Sequence, residues 1–92
     1  MKPMEVIDKI ELDKSKIKSN GKYYVYEIAD SDEFSHLYNL FDDSDEFEED
    51  VDSQDINLFT NTMVFIDNDG ETDCTLEADF EEDTYKLILT EI

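Results

Sequence analysis

The 92-residue chain has no arginine, one cysteine, one histidine and two glycines. One cysteine rules out an intramolecular disulfide framework and fits a reducing compartment. Two isolated glycines leave no glycine-rich loop for phosphate. A lone His36 cannot build a histidine metal site, and Cys74 has no other base to activate it as a nucleophile. No apolar run reaches the ~18 residues of a membrane-crossing helix, and no apolar signal-peptide core follows Lys2. A cytoplasmic protein that is not an enzyme is expected, with no cofactor, no metal and no membrane partner.

What the chain has in excess is negative charge: 27 Asp and Glu against seven lysines, formally −20. The sign is unevenly placed. Residues 1–22 carry six of the lysines and four acids, for +2, whereas residues 23–92 set Lys86 against 23 acids, for −22. Such a surface repels nucleic acid and anionic lipid and attracts basic protein surfaces. Charge of this size favours disorder, but 11 Phe and Tyr and several alternating apolar runs oppose it. One domain over residues 1–92 is expected, with a modest core and a mobile acidic loop at 42–55.

Met4 to Leu12 mixes strand and helix periodicity and is read as a strand. Ser19-Asn20-Gly21 is a turn, because Asn-Gly tolerates the positive φ of tight hairpins. Tyr23 to Ala29 is aromatic and β-branched, hence a strand with Tyr24, Tyr26 and Ile28 on one face. Asp30 caps a helix with Glu33 completing a capping box. Phe34, Leu37, Tyr38 and Phe41 then follow the helical spacing i, i+3, i+4, i+7, predicting a helix over Asp32–Phe41. In Asp42 to Asp55 nine of fourteen residues are acidic, and Phe47 and Val51 are the apolar residues available to tether it. Thr62–Asp67, Glu71–Phe80 and Thr84–Glu91 read as three antiparallel strands joined by Asn68-Asp69-Gly70 and Glu81-Glu82-Asp83. Tyr85, Leu87 and Leu89 point inward on the last. The expected fold is α+β, an antiparallel sheet of four or five strands with one helix packed on it.

The strand from Glu71 separates by parity. Thr72, Cys74, Leu76, Ala78 and Phe80 share one side, and Glu71, Asp73, Glu77, Asp79 and Glu81 share the other, broken only by Thr75. Alternate residues of a strand face opposite ways, about 6.6–6.8 Å apart on each face. One face can therefore pack while the other presents carboxylates at a spacing that coarsely matches successive phosphates. Like charges side by side cost stability, and the strand itself holds no cation. Asp67-Asn68-Asp69-Gly70-Glu71 has some EF-hand character. With Gly70 at the sixth position, however, Phe65 takes the first and Leu76 the twelfth, so the calcium frame fails at both ends. Cys74 belongs to the inward parity and reads as a small buried apolar residue.

In size, charge and this acidic comb the chain resembles the small DNA-mimic inhibitors of phages and mobile elements: anti-CRISPR proteins, anti-restriction proteins and inhibitors of DNA glycosylases. The resemblance is one of character over the acidic seventy residues and carries no family motif. It implies stoichiometric blocking of the basic groove of a nucleic-acid-binding protein, a CRISPR nuclease by analogy, without direct binding of nucleic acid. The candidate phosphate surrogates are Glu71, Asp73, Glu77, Asp79 and Glu81, helped by Asp42, Asp43, Asp45, Glu46, Glu48, Glu49 and Asp50. Phe47 or Tyr23 would supply a packing anchor. The alternative is an acidic adaptor or chaperone that binds a basic protein without competing with nucleic acid. Monomer and homodimer both remain open.

Overall fold

A computed structural model describes all residues, Met1–Ile92. The chain opens with helix α1 (Pro3–Lys9) and a short 3-10 turn (Lys14–Lys16), then the hairpin β1 (Ile17–Asn20) and β2 (Tyr23–Ile28). Helix α2 (Ser31–Asp43) leads to β3 (Phe47–Glu49), a 3-10 turn at Val51–Ser53 and β4 (Asp55–Ile56). The meander β5 (Thr60–Asp67), β6 (Thr72–Asp79) and β7 (Thr84–Glu91) closes it. The fold is α+β, as expected, but the count was too low: seven antiparallel strands and two α-helices. No helix is long and apolar enough to cross a membrane.

The sheet order is β1-β2-β7-β6-β5-β3, with β4 also on the free side of β5. β3 pairs with the end of β5 (Phe47 opposite Asp67) and β4 with its beginning (Ile56 opposite Asn61). Between them the Asp50 N–H donates to the Val64 carbonyl at 2.8 Å. The 42–55 segment is thus stitched along the edge of β5. Phe47 does anchor it, 8% exposed and edge-on to Phe41 at 4.9 Å between ring centres. Val51 does not, at 67% exposed.

Met4–Leu12 is the strand expectation that fails. Pro3, Val6, Ile7 and Ile10 follow the i, i+3, i+4, i+7 spacing, and Pro3 occupies the first helical turn, where its missing N–H costs nothing. The Glu5 carboxylate accepts from the Lys2 N–H at 3.3 Å, and Lys9 lies in the last turn, where a cation suits the dipole. Val6 and Ile7 are fully buried by this arrangement.

α2 begins as the sequence indicates. Asp30 accepts from the Glu33 N–H at 2.9 Å, and Glu33 accepts in turn from the Ala29 N–H at 2.9 Å, one residue before the cap. It lays Phe34, Leu37 and Phe41 on the sheet, with Phe41 stacked on Phe65 at 5.4 Å and Phe34 against Tyr85 at 5.8 Å. The core is one-sided. Tyr26 and Ile28 from β2, Met63 and Phe65 from β5, Cys74, Leu76 and Ala78 from β6, and Leu87 and Leu89 from β7 all face the helices. The opposite face of the sheet has no covering layer. The radius of gyration is 12.3 Å, equal to the ~12 Å of a compact chain of this length.

Phe41 joins α2, β3 and β5 and is fully buried. Phe41→Ala is expected to cost about 3–5 kcal/mol in urea unfolding. A loss below ~1 kcal/mol would mean that α2 does not hold the edge segment to the sheet.

Candidate functional site

Seven lysines and an α-ammonium face 27 acids, and every lysine but Lys22 lies within 4.0 Å of a carboxylate. Lys2 pairs with Glu71 and Glu91 (3.1 Å each), Lys9 with Glu46 (2.7 Å) and Lys14 with Asp8 (2.7 Å). Lys16 reaches Glu33 (3.6 Å), Lys18 reaches Glu27 (3.5 Å) and Lys86 reaches Glu77 (3.4 Å). Lys16 also lies over the Tyr26 ring, 4.8 Å from its centre. The basic N-terminal segment is thereby folded onto acids of β2, α2 and β7 and onto Glu46 and Glu71, which precede β3 and β6.

The comb of β6 has the expected parity: Thr72, Cys74, Leu76 and Ala78 are buried, while Asp73, Thr75, Glu77 and Asp79 lie on the uncovered face. It is not a free row of charge, because other strands neutralise part of it. Lys86 of β7 stands opposite Glu77. Glu71 is held by Lys2 and by the Met1 α-ammonium at 3.1 Å. Asp79 accepts from the Glu81 and Glu82 N–H groups at 3.1 Å each and so builds the β6–β7 turn. Glu81 is exposed on that turn. Around the comb the uncovered face is apolar and hydroxylic, with Val25, Ile88, Thr75 and Val64 opposite one another across four strands. Phe80, assigned by parity to the core, leaves the strand at the turn and is 49% exposed.

The segment 42–55 behaves differently. Asp42, Asp43, Asp45, Glu48, Glu49, Asp50, Asp52 and Asp55 have no cation within 4.0 Å; of its nine acids only Glu46 is paired. Asp42 and Asp43 end α2, whose last turn holds no basic residue, so they sit where the helix dipole disfavours negative charge. The chain then turns along β5, which places the following acids on one edge of the sheet. Asp73 stands on the inner strand β6, opposite Ile66, which in turn lies opposite Glu48 of the edge. Burial on the sheet face, with Asp50 nearby, raises the Asp73 carboxyl above the ordinary range. Of the twelve sequence-selected acids, seven therefore reach no cation: Asp45, Glu48, Glu49 and Asp50 along the free side of β5, Asp42 and Asp43 at the end of α2, and Asp73 on the inner strand β6. Glu46, Glu71 and Glu77 are ion-paired, Asp79 is a turn residue, and Glu81 stands apart. Phe47 is core and cannot be a surface anchor, whereas Tyr23 is 52% exposed.

A second acidic group is structural. Asp67 lies buried at the end of β5, accepting from the Glu71 and Thr72 N–H groups at 2.7 and 2.9 Å and from the Met1 α-ammonium. Asp69 completes the clasp on that ammonium at 3.2 Å. Asp67, Asp69 and Glu71 are close enough together to hold a cation, and the ammonium already supplies one. Its hydrogen bond to Asp67 raises the amine to about 11, against the opposing effect of desolvation and with help from Glu71 and Asp69. Burial alone would push the Asp67 carboxyl up, but hydrogen bonds from the ammonium, Thr72 and Glu71 hold it below the ordinary range. Cys74 is fully buried, and burial pushes its thiol far up, with Asp67 and Asp73 adding to the effect. An inert packing thiol results.

Sequence reasoning missed the exposed apolar residues Ile56, Leu58, Phe59 and Phe80. The signal was a run, Ile56-Asn57-Leu58-Phe59, that fits neither helical nor strand periodicity. No protein-family model, curated protein or solved structure matches this chain.

Two outcomes follow from these geometries. Asp42→Asn and Asp43→Asn are each expected to raise stability by about 0.3–1 kcal/mol at low salt, an effect that urea unfolding should show shrinking at high salt. Asp67→Ala should cost about 3 kcal/mol, and it should also change the pH profile. The amine's contribution is fully present below pH 8.0 and lost as pH rises through about 11. The Asp67 contribution is present above the ordinary 3.8 and lost as pH falls through its depressed value. Both slopes should flatten in the variant; an alkaline slope unchanged by Asp67→Ala would contradict the clasp.

Proposed function

We propose that this chain is a nucleic-acid mimic. It occupies the basic DNA- or RNA-binding groove of a host defence nuclease by stoichiometric association and makes or breaks no bond. A CRISPR effector is the first candidate, by analogy of character with inhibitors of that kind. The observation that carries the reading is the run of eight acids in residues 42–55 that reach no cation, Glu46 alone being paired, with Asp73 across β5 from them. The chain places its lysines elsewhere and keeps this charge where a helix end and a sheet face both disfavour it. Grooves that grip nucleic acid are lined with Lys and Arg, and much of their affinity is electrostatic. A fixed polyanion competes for the same cations, and its association is fast and salt-dependent.

The test is capture of a partner from a bacterial lysate at ~150 mM salt, where exposed charges more than a Debye length apart are screened. The reading expects one nucleic-acid-binding protein, released by excess duplex DNA. Replacing Asp42, Asp43, Asp45, Glu48, Glu49 and Asp50 by Asn and Gln should weaken capture at least ~10-fold while the fold stays intact. A partner that survives excess DNA makes the protein an adaptor instead. Capture of nothing, or equal capture by the amide variant, contradicts the mimic.

A further inference from the structure

One end of the sheet displays apolar side chains that the fold does not use. Ile56, Leu58, Phe59 and Phe80 are 62, 89, 55 and 49% exposed. Ile56, Leu58 and Phe59 belong to one short run, and the topology brings Phe80 to it from the far end of β6. Ile56 lies opposite Asn61, Asn61 opposite Ala78, and Ala78 opposite Tyr85. Phe59 precedes β5 and Phe80 follows β6 at this end, and the Phe80 N–H donates to the Phe59 carbonyl at 2.8 Å.

Both turns are locked. The Asn57 side chain accepts from the Phe59 and Thr60 N–H groups at 2.8 and 2.9 Å and donates to the Thr60 hydroxyl at 2.9 Å. Asp79 fixes the other turn through Glu81 and Glu82. A patch held on cross-linked, hydrogen-bonded turns loses little freedom on binding, which is how a preorganised contact gains affinity. Exposed apolar groups gathered in this way mark interaction sites more often than scattered ones do.

The surrounding charge selects the occupant. Asp55 adjoins Ile56, and Glu81, Glu82 and Asp83 follow Phe80, none with a cation within 4.0 Å. A second copy would bring these acids against their own equivalents on a chain of −20, an arrangement that like-charge repulsion opposes. We propose that this apolar tip is the anchoring contact for a protein partner whose surface carries an aliphatic or aromatic pocket rimmed by lysine or arginine. An apolar centre within a polar, charged rim is the arrangement of an energetic hot spot. The proposal rests on the basic-partner reading above and deepens it: edge charge draws the partner in, and the tip holds it.

The test uses two synthetic peptides of equal positive charge, an oligolysine and an amphipathic lysine–leucine peptide. Each is titrated into the labelled protein and followed by backbone amide shifts. The amphipathic peptide should bind at least ~10-fold more tightly, with the largest shifts at residues 57–60 and 80–83. The triple variant Leu58→Ser, Phe59→Ser, Phe80→Ser should lose that preference while binding oligolysine as before. Leu58→Ser alone, at the most exposed position, should lose part of it and guards against misfolding of the triple variant. Equal affinity for the two peptides, or a preference that survives the triple variant, overturns the tip and leaves the charge reading standing. Binding of neither peptide overturns both.

Discussion

Scarcity of cations is the constraint on which this structure depends. Twenty-seven acidic side chains cannot be placed on a small fold without choices about which to neutralise, since each uncompensated charge adds to the self-repulsion of the compact state. The lysines are concentrated in the first 22 residues, and the fold returns that segment to the acidic body. The β1–β2 hairpin docks on β7, and α1 lies on the helix-bearing face. The pairs so formed are mostly exposed and individually worth little. Their consequence is positional: with the Lys86–Glu77 pair, they neutralise Glu71 and Glu77 of the comb and leave eight of the nine acids of 42–55 without a cation.

The edge persists because, beside the single Lys9–Glu46 pair, it is fastened by apolar burial and hydrogen bonds. Phe47 is clamped by Phe41, Asp50 is tied to Val64, and the Glu49 carboxylate accepts from the Gln54 side chain at 2.5 Å. Apolar burial and backbone pairing thus hold a segment that electrostatics would push away. Repulsive charge held in this manner is preorganised for a cationic surface, because the free energy of bringing the acids together has already been met in folding. In the proposed complex, the apolar tip at the end of the same edge would supply the short-range contact that charge alone cannot give. Long-range attraction sets the rate of encounter, and desolvated apolar contact sets the residence time.

Much of the architecture was legible in the residues. The Asp30–Glu33 cap, the helical stripe from Phe34 to Phe41, and the alternation in β5, β6 and β7 are local signals, and local signals survive folding. Met4–Leu12 fits both a strand and a helical period, and Pro3, at the first helical turn, is the residue that decides for α1. β3 and β4 were invisible for another reason. Strands of two or three acid-rich residues have no periodicity, and they exist because the edge of β5 offers them partners. The comb shows the same division. Its parity is a property of one strand, but its neutralisation depends on Lys86, Lys2 and the α-ammonium, which arrive from β7 and the N-terminus. The uncompensated edge could have been anticipated only by knowing which acids the lysines reach.

The most direct measurement is the surface potential itself. Amide relaxation enhancement by a cationic nitroxide, compared with a neutral one of the same size, reports local negative potential residue by residue. The account predicts the strongest cationic enhancement along residues 42–55 and at Asp73, with a weak response at Glu71 and Glu77, where lysines stand. An even response over the whole surface, or a maximum at Glu71 and Glu77, would contradict it.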